Sequence, residues 1–204
     1  MRSVLCFLLC TITIGCNTSN RVEVDLSNSL IIPKKYSINY SKNKLYIDGK
    51  DEEADWQKAH KTSFFIDIAN NKKPLQKTFM KMLWDEENLY IYAKLYEKHI
   101  WGDITQRDAV IFKNNDFEIF LKPSQNHNYY GEIEINALGT VWDLLLDKPY
   151  RLGGKANTNW NIENLNSAVY ISGTINDFSD EDNYWSCEMS IPLNEIIKIN
   201  GTDY

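Results

Sequence analysis

Period-two alternation of apolar and polar residues, clearest between residues 107 and 150, constrains the fold of this chain more than any other feature. In its two longest runs every second side chain is apolar: Phe117, Ile119 and Leu121, then Ile133, Ile135 and Ala137. Successive side chains of a β-strand point to opposite faces, so the pattern predicts strands that bury one face only. The intervening side chains are mostly carboxylates, amides and aromatic rings: Asp116, Glu118, Phe120, Tyr130, Glu132, Glu134 and Asn136. Carboxylates and amides bond hydroxyl groups and flat rings pack on apolar sugar faces, so this polar face suits a carbohydrate ligand.

Short alternating segments separated by turn signals continue along the chain. Residues 78–97 predict a hairpin around residues 85–88, and further strands are expected at residues 45–50, 63–69, 167–175 and 184–191. Helix is expected only around residues 51–59 and 194–199. The pattern predicts an all-β fold, an antiparallel β-sandwich of the immunoglobulin-like or jelly-roll-like kind. Because few residues follow the last predicted strand, we expect the sandwich to lack its C-terminal strand or strands and to have an unpaired edge.

The N-terminal residues have the layout of a bacterial export signal. Arg2 precedes an apolar run over residues 4–15 that is too short to span a bilayer. The run ends in Thr13-Ile14-Gly15-Cys16, which resembles a lipobox, and a polar stretch follows it. We expect a signal peptide at residues 1–15, lipidation at Cys16, a tether over residues 16–40 and one domain over residues 41–204. Such a protein crosses the inner membrane and stays lipid-anchored in the cell envelope, at its periplasmic face or outer membrane; ordinary secretion with cleavage near Cys16 is the alternative.

Net charge and cysteine content limit which partners and which covalent bonds the chain can have. The chain has 28 acidic and 22 basic residues, for a net charge of -6, and nucleic-acid phosphates require a basic face, so no nucleic acid is expected. Cys6 and Cys10 would leave with the signal and Cys16 would carry lipid. Cys187 then stays as a thiol in an alternating apolar strand, without a disulfide partner. Contact with a membrane is expected only through the lipid anchor.

Five segments together resemble a known family: IDGKDEEADWQKA, KMLWDEENLYIYAKLYEKHIW, RDAVIFKNNDFEIFLKP, NHNYYGEIEINALGTVWDLLLDKPY and WSCEMSIPL. They are similar to the carbohydrate-binding module family 9 domain, in the branch found in Bacteroidetes lipoproteins. The resemblance implies a DOMON-like β-sandwich in which two tryptophans enclose a terminal sugar and calcium ions often support the loops. By the same resemblance, Glu118 and Asn136 occupy sugar-binding positions, Glu134 stands where some members have Arg, and Phe112 stands where the first Trp is expected. The second Trp would belong to a C-terminal segment that follows the residues matched here.

Nine residues are the candidates for carbohydrate binding: Trp101, Arg107, Phe112, Asn115, Asp116, Glu118, Glu134, Asn136 and Trp160. Trp101 and Trp160 lie in loop-like contexts that favour stacking on a ligand. Trp142 shares its strand face with two leucines and is expected in the core. Arg107 either pairs with Asp108 or donates its guanidinium hydrogens to sugar hydroxyls.

The sequence is compatible with three functions. It favours non-catalytic binding of a polysaccharide or oligosaccharide, in support of polysaccharide catabolism. In a glycoside hydrolase or its accessory domain, Glu118 and Glu134 would act as acid and base. A structural lipoprotein would bind a protein partner through the same sheet. The three histidines lack zinc-site spacing. The acidic residues 177–182 form either a solvated turn or a calcium site, so calcium is the one candidate cofactor.

Overall fold

Two β-sheets make up residues 34–67 and 72–200, the part of the chain that the computed structural model describes. Within these residues the strands are β1 Asn39–Tyr40, β2 Thr78–Trp84, β3 Asn88–Leu95, β4 Asp116–Leu121, β5 Tyr130–Asn136, β6 Val141–Leu146, β7 Ala156–Asn157, β8 Asn166–Ser172 and β9 Tyr184–Pro192. The helices are α1 Ala54–Lys58 and α2 Leu193–Lys198, with single 3-10 turns at Ile111–Lys113 and Tyr150–Leu152. The signal peptide, Cys16 and most of the tether lie outside the described residues.

The strands pair in a five-stranded sheet of order β1-β2-β3-β9-β8 and a four-stranded sheet of order β4-β5-β6-β7. The pairs are antiparallel except β1 with β2, which is parallel. Apolar side chains from both sheets meet in one buried cluster: Leu89, Ile91, Ala93, Leu95, Ile100, Phe117, Ile119, Ile133, Ile135, Ala137, Val141, Ile162, Trp185, Cys187, Met189 and Ile191. Full burial of one such aliphatic side chain contributes about 1.5–3 kcal/mol, so this layer holds the two sheets together. The predicted antiparallel β-sandwich is confirmed, and Cys187 is the buried thiol that alternation predicted.

The five-stranded sheet is covered on its other face as well. Tyr90 and Tyr92 of β3 pack there in a second buried cluster with Leu45 and Trp56, which come from the segment before β2. Glu188 of β9 lies in this layer with none of its surface exposed. Its carboxylate accepts hydrogen bonds from Trp56 Nε1 at 2.9 Å and from the backbone N–H groups of residues 48 and 49 at 2.9 and 3.1 Å. A single buried carboxylate therefore fastens the N-terminal cover to the sheet.

The hairpin predicted at residues 78–97 is present as β2 and β3, and both short helices occur where the sequence predicts them. The strand predicted at residues 45–50 is absent, because the backbone N–H groups of residues 48 and 49 bond the Glu188 side chain instead of a neighbouring strand. The strand predicted at residues 63–69 is also absent over its described part. There, Phe65 makes one backbone hydrogen bond to Thr78 and no ladder follows it. No helix within residues 34–67 and 72–200 combines the length and apolar character needed to cross a bilayer.

Candidate functional site

The outer face of the four-stranded sheet carries a cluster of carboxylates, which we call the acidic face: Asp116, Glu118, Glu132 and Glu134. Alternation sends these side chains away from the other sheet, because their neighbours along β4 and β5 fill the core between the sheets. The antiparallel register sets Glu118 directly opposite Glu134. One carboxylate oxygen each from Asp116, Glu118 and Glu134 lies within 4.8 Å of the others.

Burial and mutual repulsion favour the protonated forms of these acids. Burial, followed by repulsion from Glu118, Asp116 and Glu132, raises the pKa of Glu134 to about 8. Burial and then the Glu118 charge raise the pKa of Asp116 to about 7 and that of Glu132 to about 7. Burial also raises the pKa of Glu118, although its side chain is exposed at the surface. At neutral pH the acidic face therefore binds protons, and a ligand that brings positive charge or hydrogen-bond donors stabilises its ionised form.

Three polar atoms of this face are buried without a hydrogen-bond partner among the described residues: Glu134 Oε2, Asp116 Oδ2 and Trp142 Nε1. Glu134 is 1% exposed, and Trp142 is its cross-strand neighbour on β6. Buried polar groups in folded proteins are nearly always hydrogen-bonded. Two acceptors and one donor side by side are therefore free to bond groups of a ligand.

Aromatic rings border the carboxylates. Phe112 stacks on Trp142 with ring centroids 6.4 Å apart and planes 26° from parallel, and Phe112 is 53% exposed. A second aromatic residue, Tyr150, contacts the acidic face at Glu132, to which its Oη donates at 3.4 Å. Trp142 is half-buried and joins neither core cluster, so the expectation of a core residue is wrong. Its strand face is the outer one, and the buried leucines of that face, Leu144 and Leu146, belong to neither core cluster.

Two buried amides hold the segment that carries Phe112. Asn136 Nδ2 donates to the Ile104 carbonyl at 2.8 Å and to Asn114 Oδ1 at 3.2 Å, while its own Oδ1 accepts from Thr140 N at 2.9 Å. Asn114 Oδ1 also accepts from the backbone N–H groups of residues 103 and 104, each at 3.1 Å. Asn136 is fully buried and its side-chain groups bond within the protein. The structure thus places it beneath the site, where it positions residues 103–115.

Arg107 lies away from the acidic face. It donates to Asp143 on the inner side of β6, to Asn161 at 3.1 Å, and it is 3.7 Å from Asp108. The Asp143 carboxylate is fully buried, and its second oxygen accepts from Ile162 N. Arg107 therefore ties the loop after Trp101 to the segment that precedes β8, and the ion pair with Asp108 considered from the sequence is present.

The remaining tryptophans and Asn115 lie elsewhere. Trp101 N donates to Asn115 Oδ1 at 2.9 Å, and both residues line a separate cleft of about 940 Å³ that also includes Tyr96 and Phe178. Trp160 is partly buried against the core between the sheets. Of the nine candidates, the structure brings together Phe112, Asp116, Glu118 and Glu134. Sequence reasoning missed Glu132, Trp142 and Tyr150 as members of this site, although alternation had placed Glu132 on the correct face.

The acidic loop at residues 177–182 uses its carboxylates internally. Asp182 accepts from Ile100 N at 2.7 Å and from Thr174 N at 2.6 Å, and Asp180 accepts from Thr174 Oγ1 at 2.6 Å. Glu181 pairs with Lys98 at 3.1 Å. These bonds are those of an ordered surface turn. Across the part of the chain that the structure describes, the carboxylates with the spacing of metal ligands are instead those of Asp116, Glu118 and Glu134.

A β-sandwich with an acidic, aromatic-bordered face on one sheet has the architecture of a carbohydrate-binding module. Comparison with protein families matches residues 47–202 to the carbohydrate family 9 binding domain-like family. The match spans most of the chain, so the chain belongs to this family, as the sequence resemblance predicted. No curated protein matches the sequence.

Solved structures share the fold at low identity. One is a family 9 carbohydrate-binding module from Caldicellulosiruptor kristjanssonii in complex with cellotriose, 15% identical, with a TM-score of 0.51 over 78% of this chain and 67% of that one. Another is a candidate carbohydrate-binding protein from Bacteroides uniformis, 10% identical, with a TM-score of 0.58 over 79% of this chain and 73% of that one. At these identities the likeness establishes the fold alone.

Proposed function

We propose that the acidic face binds an oligosaccharide or the end of a polysaccharide without cleaving it. One observation carries this proposal: the orphaned Glu134 oxygen and Trp142 Nε1 lie buried beside an exposed aromatic stack. The family to which the chain belongs is one of carbohydrate binding. A sugar supplies what such a surface lacks, because its hydroxyls both donate and accept hydrogen bonds and its ring has apolar faces.

In the arrangement we propose, a pyranose ring rests against Phe112 and Trp142. Its hydroxyls donate to Glu134 and Asp116 and accept from Trp142 Nε1, which would give each orphaned atom a partner. Glu118 lies exposed at the mouth of the cluster and reaches the rim of the same sugar. Because the relative from Caldicellulosiruptor kristjanssonii was solved with cellotriose, β-linked glucose oligomers are the first ligands to test.

Calorimetric titration with cellotriose, followed by affinity electrophoresis on a panel of plant polysaccharides, tests the binding. Loss of the indole in Trp142→Ala removes a stacking contact of about 0.5–1.5 kcal/mol, so we expect roughly 2- to 13-fold weaker binding. Trp101→Ala is the matched control, since it deletes the same side chain from the separate cleft. Failure of the folded protein to bind any carbohydrate would refute the proposal, and weaker binding in Trp101→Ala alone would move the site to that cleft.

The geometry favours binding over hydrolysis. A glycosidase needs two carboxyl groups that flank the scissile bond. Glu118 and Glu134 are cross-strand neighbours on one sheet face, so both approach a ligand from the same side. We therefore expect no turnover of aryl glycosides. Turnover that disappears in Glu118→Gln would establish the hydrolase alternative instead.

We further propose that the domain works in the bacterial cell envelope, exported by residues 1–15 and anchored through lipid on Cys16, where it supports capture and catabolism of polysaccharides. The support is the order of charged, apolar and lipobox-like residues at the N-terminus. Metabolic labelling with a palmitate analogue should mark the wild-type protein in membranes and leave Cys16→Ser unlabelled. An unlabelled wild-type protein recovered in the soluble fraction would contradict the anchor.

A further inference from the structure

We propose that Asp116, Glu118 and Glu134 together bind a calcium ion, and that this ion links the acidic face to adjacent hydroxyls of the bound sugar. The cation site rests on the geometry of the carboxylates and on a buried Glu134 oxygen that has no partner among the described residues. The link to a sugar rests on the proposed function. The site is distinct from the acidic loop at residues 177–182, whose carboxylates bond within the loop and to its neighbours.

The spacing of the carboxylates fits the ion. Calcium binds oxygen ligands at about 2.3–2.6 Å, so ligands on opposite sides of one ion lie about 5 Å apart. One oxygen from each of the three side chains lies within 4.8 Å of the other two. An ion can therefore contact all three without movement of the strands that carry them, and the cross-strand pair of Glu118 and Glu134 sets two of the positions.

The buried orphan oxygen is the second and independent observation. Glu134 is 1% exposed, and its Oε2 has no partner among residues 34–67 and 72–200. A carboxylate withdrawn from water to this degree is normally paired with a charge or bound to a metal. The ion pairs of the described residues use other carboxylates, those of Asp48, Asp51, Asp55, Asp108, Asp143, Glu181 and Glu195. Within residues 34–67 and 72–200, no ion pair therefore supplies a counter-charge to Glu134.

The three carboxylate ligands favour calcium, and the exposure of the site allows the bound ion to contact sugar hydroxyls as well. All three ligands are hard oxygens, which favour calcium over zinc or copper. Calcium takes 6–8 oxygens, so three carboxylates leave coordination positions for water or for sugar hydroxyls. Those positions open on the side of exposed Glu118, next to the stack of Phe112 on Trp142. A ring lying on that stack would present neighbouring hydroxyls to the ion, and these contacts would take the place of the direct hydrogen bonds from hydroxyls to Glu134 and Asp116.

Calcium alone, titrated calorimetrically into EDTA-treated and desalted full-length protein, tests the cation site. We expect a dissociation constant of about 0.1–1 mM, the range of extracellular modules. Glu134→Gln and the exposed Glu118→Gln should each weaken it by at least about tenfold, since loss of a supporting residue already costs about 10–100-fold. Glu181→Gln, the same change in a surface ion pair, should leave it unchanged. No calcium binding at millimolar concentration, or equal loss in Glu181→Gln, overturns the site.

Terbium luminescence locates the ion. Terbium replaces calcium and is excited by a nearby indole, so Trp142→Phe should remove most of the sensitised emission while Trp101→Phe retains it. Emission that depends on Trp101 rather than Trp142 would overturn the location.

Cellotriose titrations with calcium and with EDTA separate this inference from the proposed function. Tighter cellotriose binding in calcium, lost in Glu118→Gln, supports the bridge. Equal sugar affinity in both buffers overturns the bridge and leaves sugar binding intact, whereas no sugar binding in either buffer refutes the proposed function. The metal site is also overturned if the protein does not bind calcium but binds a glucosamine oligomer in EDTA. In that case the amino group of the sugar supplies the positive charge.

Discussion

Replacing Glu188 by Gln should change how the stability of the domain depends on pH. Burial raises the pKa of Glu188 from 4.5 to about 7 despite the hydrogen bonds that favour its charged form. Because the folded-state pKa is the higher one, the folded protein binds more protons in this window, and stability falls as pH rises from about 4.5 through about 7. Between about pH 5 and about pH 8 the linkage amounts to about 2.5 kcal/mol, at about 1.36 kcal/mol for each pKa unit.

Urea unfolding of the wild-type protein and Glu188→Gln at both pH values, with EDTA present, measures this effect. Gln resembles the protonated acid and does not titrate, so the variant should gain about 2.5 kcal/mol relative to the wild type on going from about pH 5 to about pH 8. The other raised carboxyl groups titrate in both proteins and cancel in the comparison. If the difference in unfolding free energy between the two proteins is the same at both pH values, the reasoning is refuted. The hydrogen bonds from Trp56 Nε1 and the two backbone N–H groups would then offset the effect of burial on the Glu188 pKa.

Three further substitutions test residues that, by their contacts, contribute to the stability of the fold. Asn136→Ala should lower the free energy of unfolding by about 1–3 kcal/mol, because the Ile104 carbonyl and Thr140 N–H lose buried partners; an unaltered urea midpoint would contradict this. Gly49→Ala should destabilise by at least about 1–2 kcal/mol, since φ is +84° and an added Cβ would lie 2.6 Å from Tyr170 N; unchanged thermal unfolding would argue against that close approach. Trp160→Ala should lower stability by no more than about 3 kcal/mol, because its side chain is only partly buried, and should retain carbohydrate affinity; selective loss of affinity would return Trp160 to the site.

Alternation was sufficient to predict the sandwich and the direction of the carboxylates. It assigned Glu118 and Glu134 to one outward face and Cys187 to the core, because a period of two is a property of each strand by itself. The resemblance then identified the family. Strand pairing could not be predicted in the same way, because the register that sets Glu134 opposite Trp142 depends on how many residues the turn between β5 and β6 uses.

Loops limited the rest of the prediction. The leucines beside Trp142 are fully buried yet belong to neither core cluster, and alternation does not distinguish such positions from those in the core between the sheets. Asn136 reads as a polar residue at the end of a strand, yet its amide bonds a loop that begins more than thirty residues earlier in the sequence. Arg107 likewise reads as a donor for ligands until the fold brings Asp143 within its reach.

The unequal covering of the two sheets implies an unequal tolerance of mutation. β3 and β9 pack on both faces, so nearly every substitution there removes contacts or buries a polar group at a cost to folding. β4 and β5 pack on the core between the sheets with one face, and their other face carries the acidic face. Under the proposed function, changes of sugar preference can therefore accumulate at positions 116, 118, 132 and 134, next to a core that stays constant. Divergence among related chains should be concentrated on this single face.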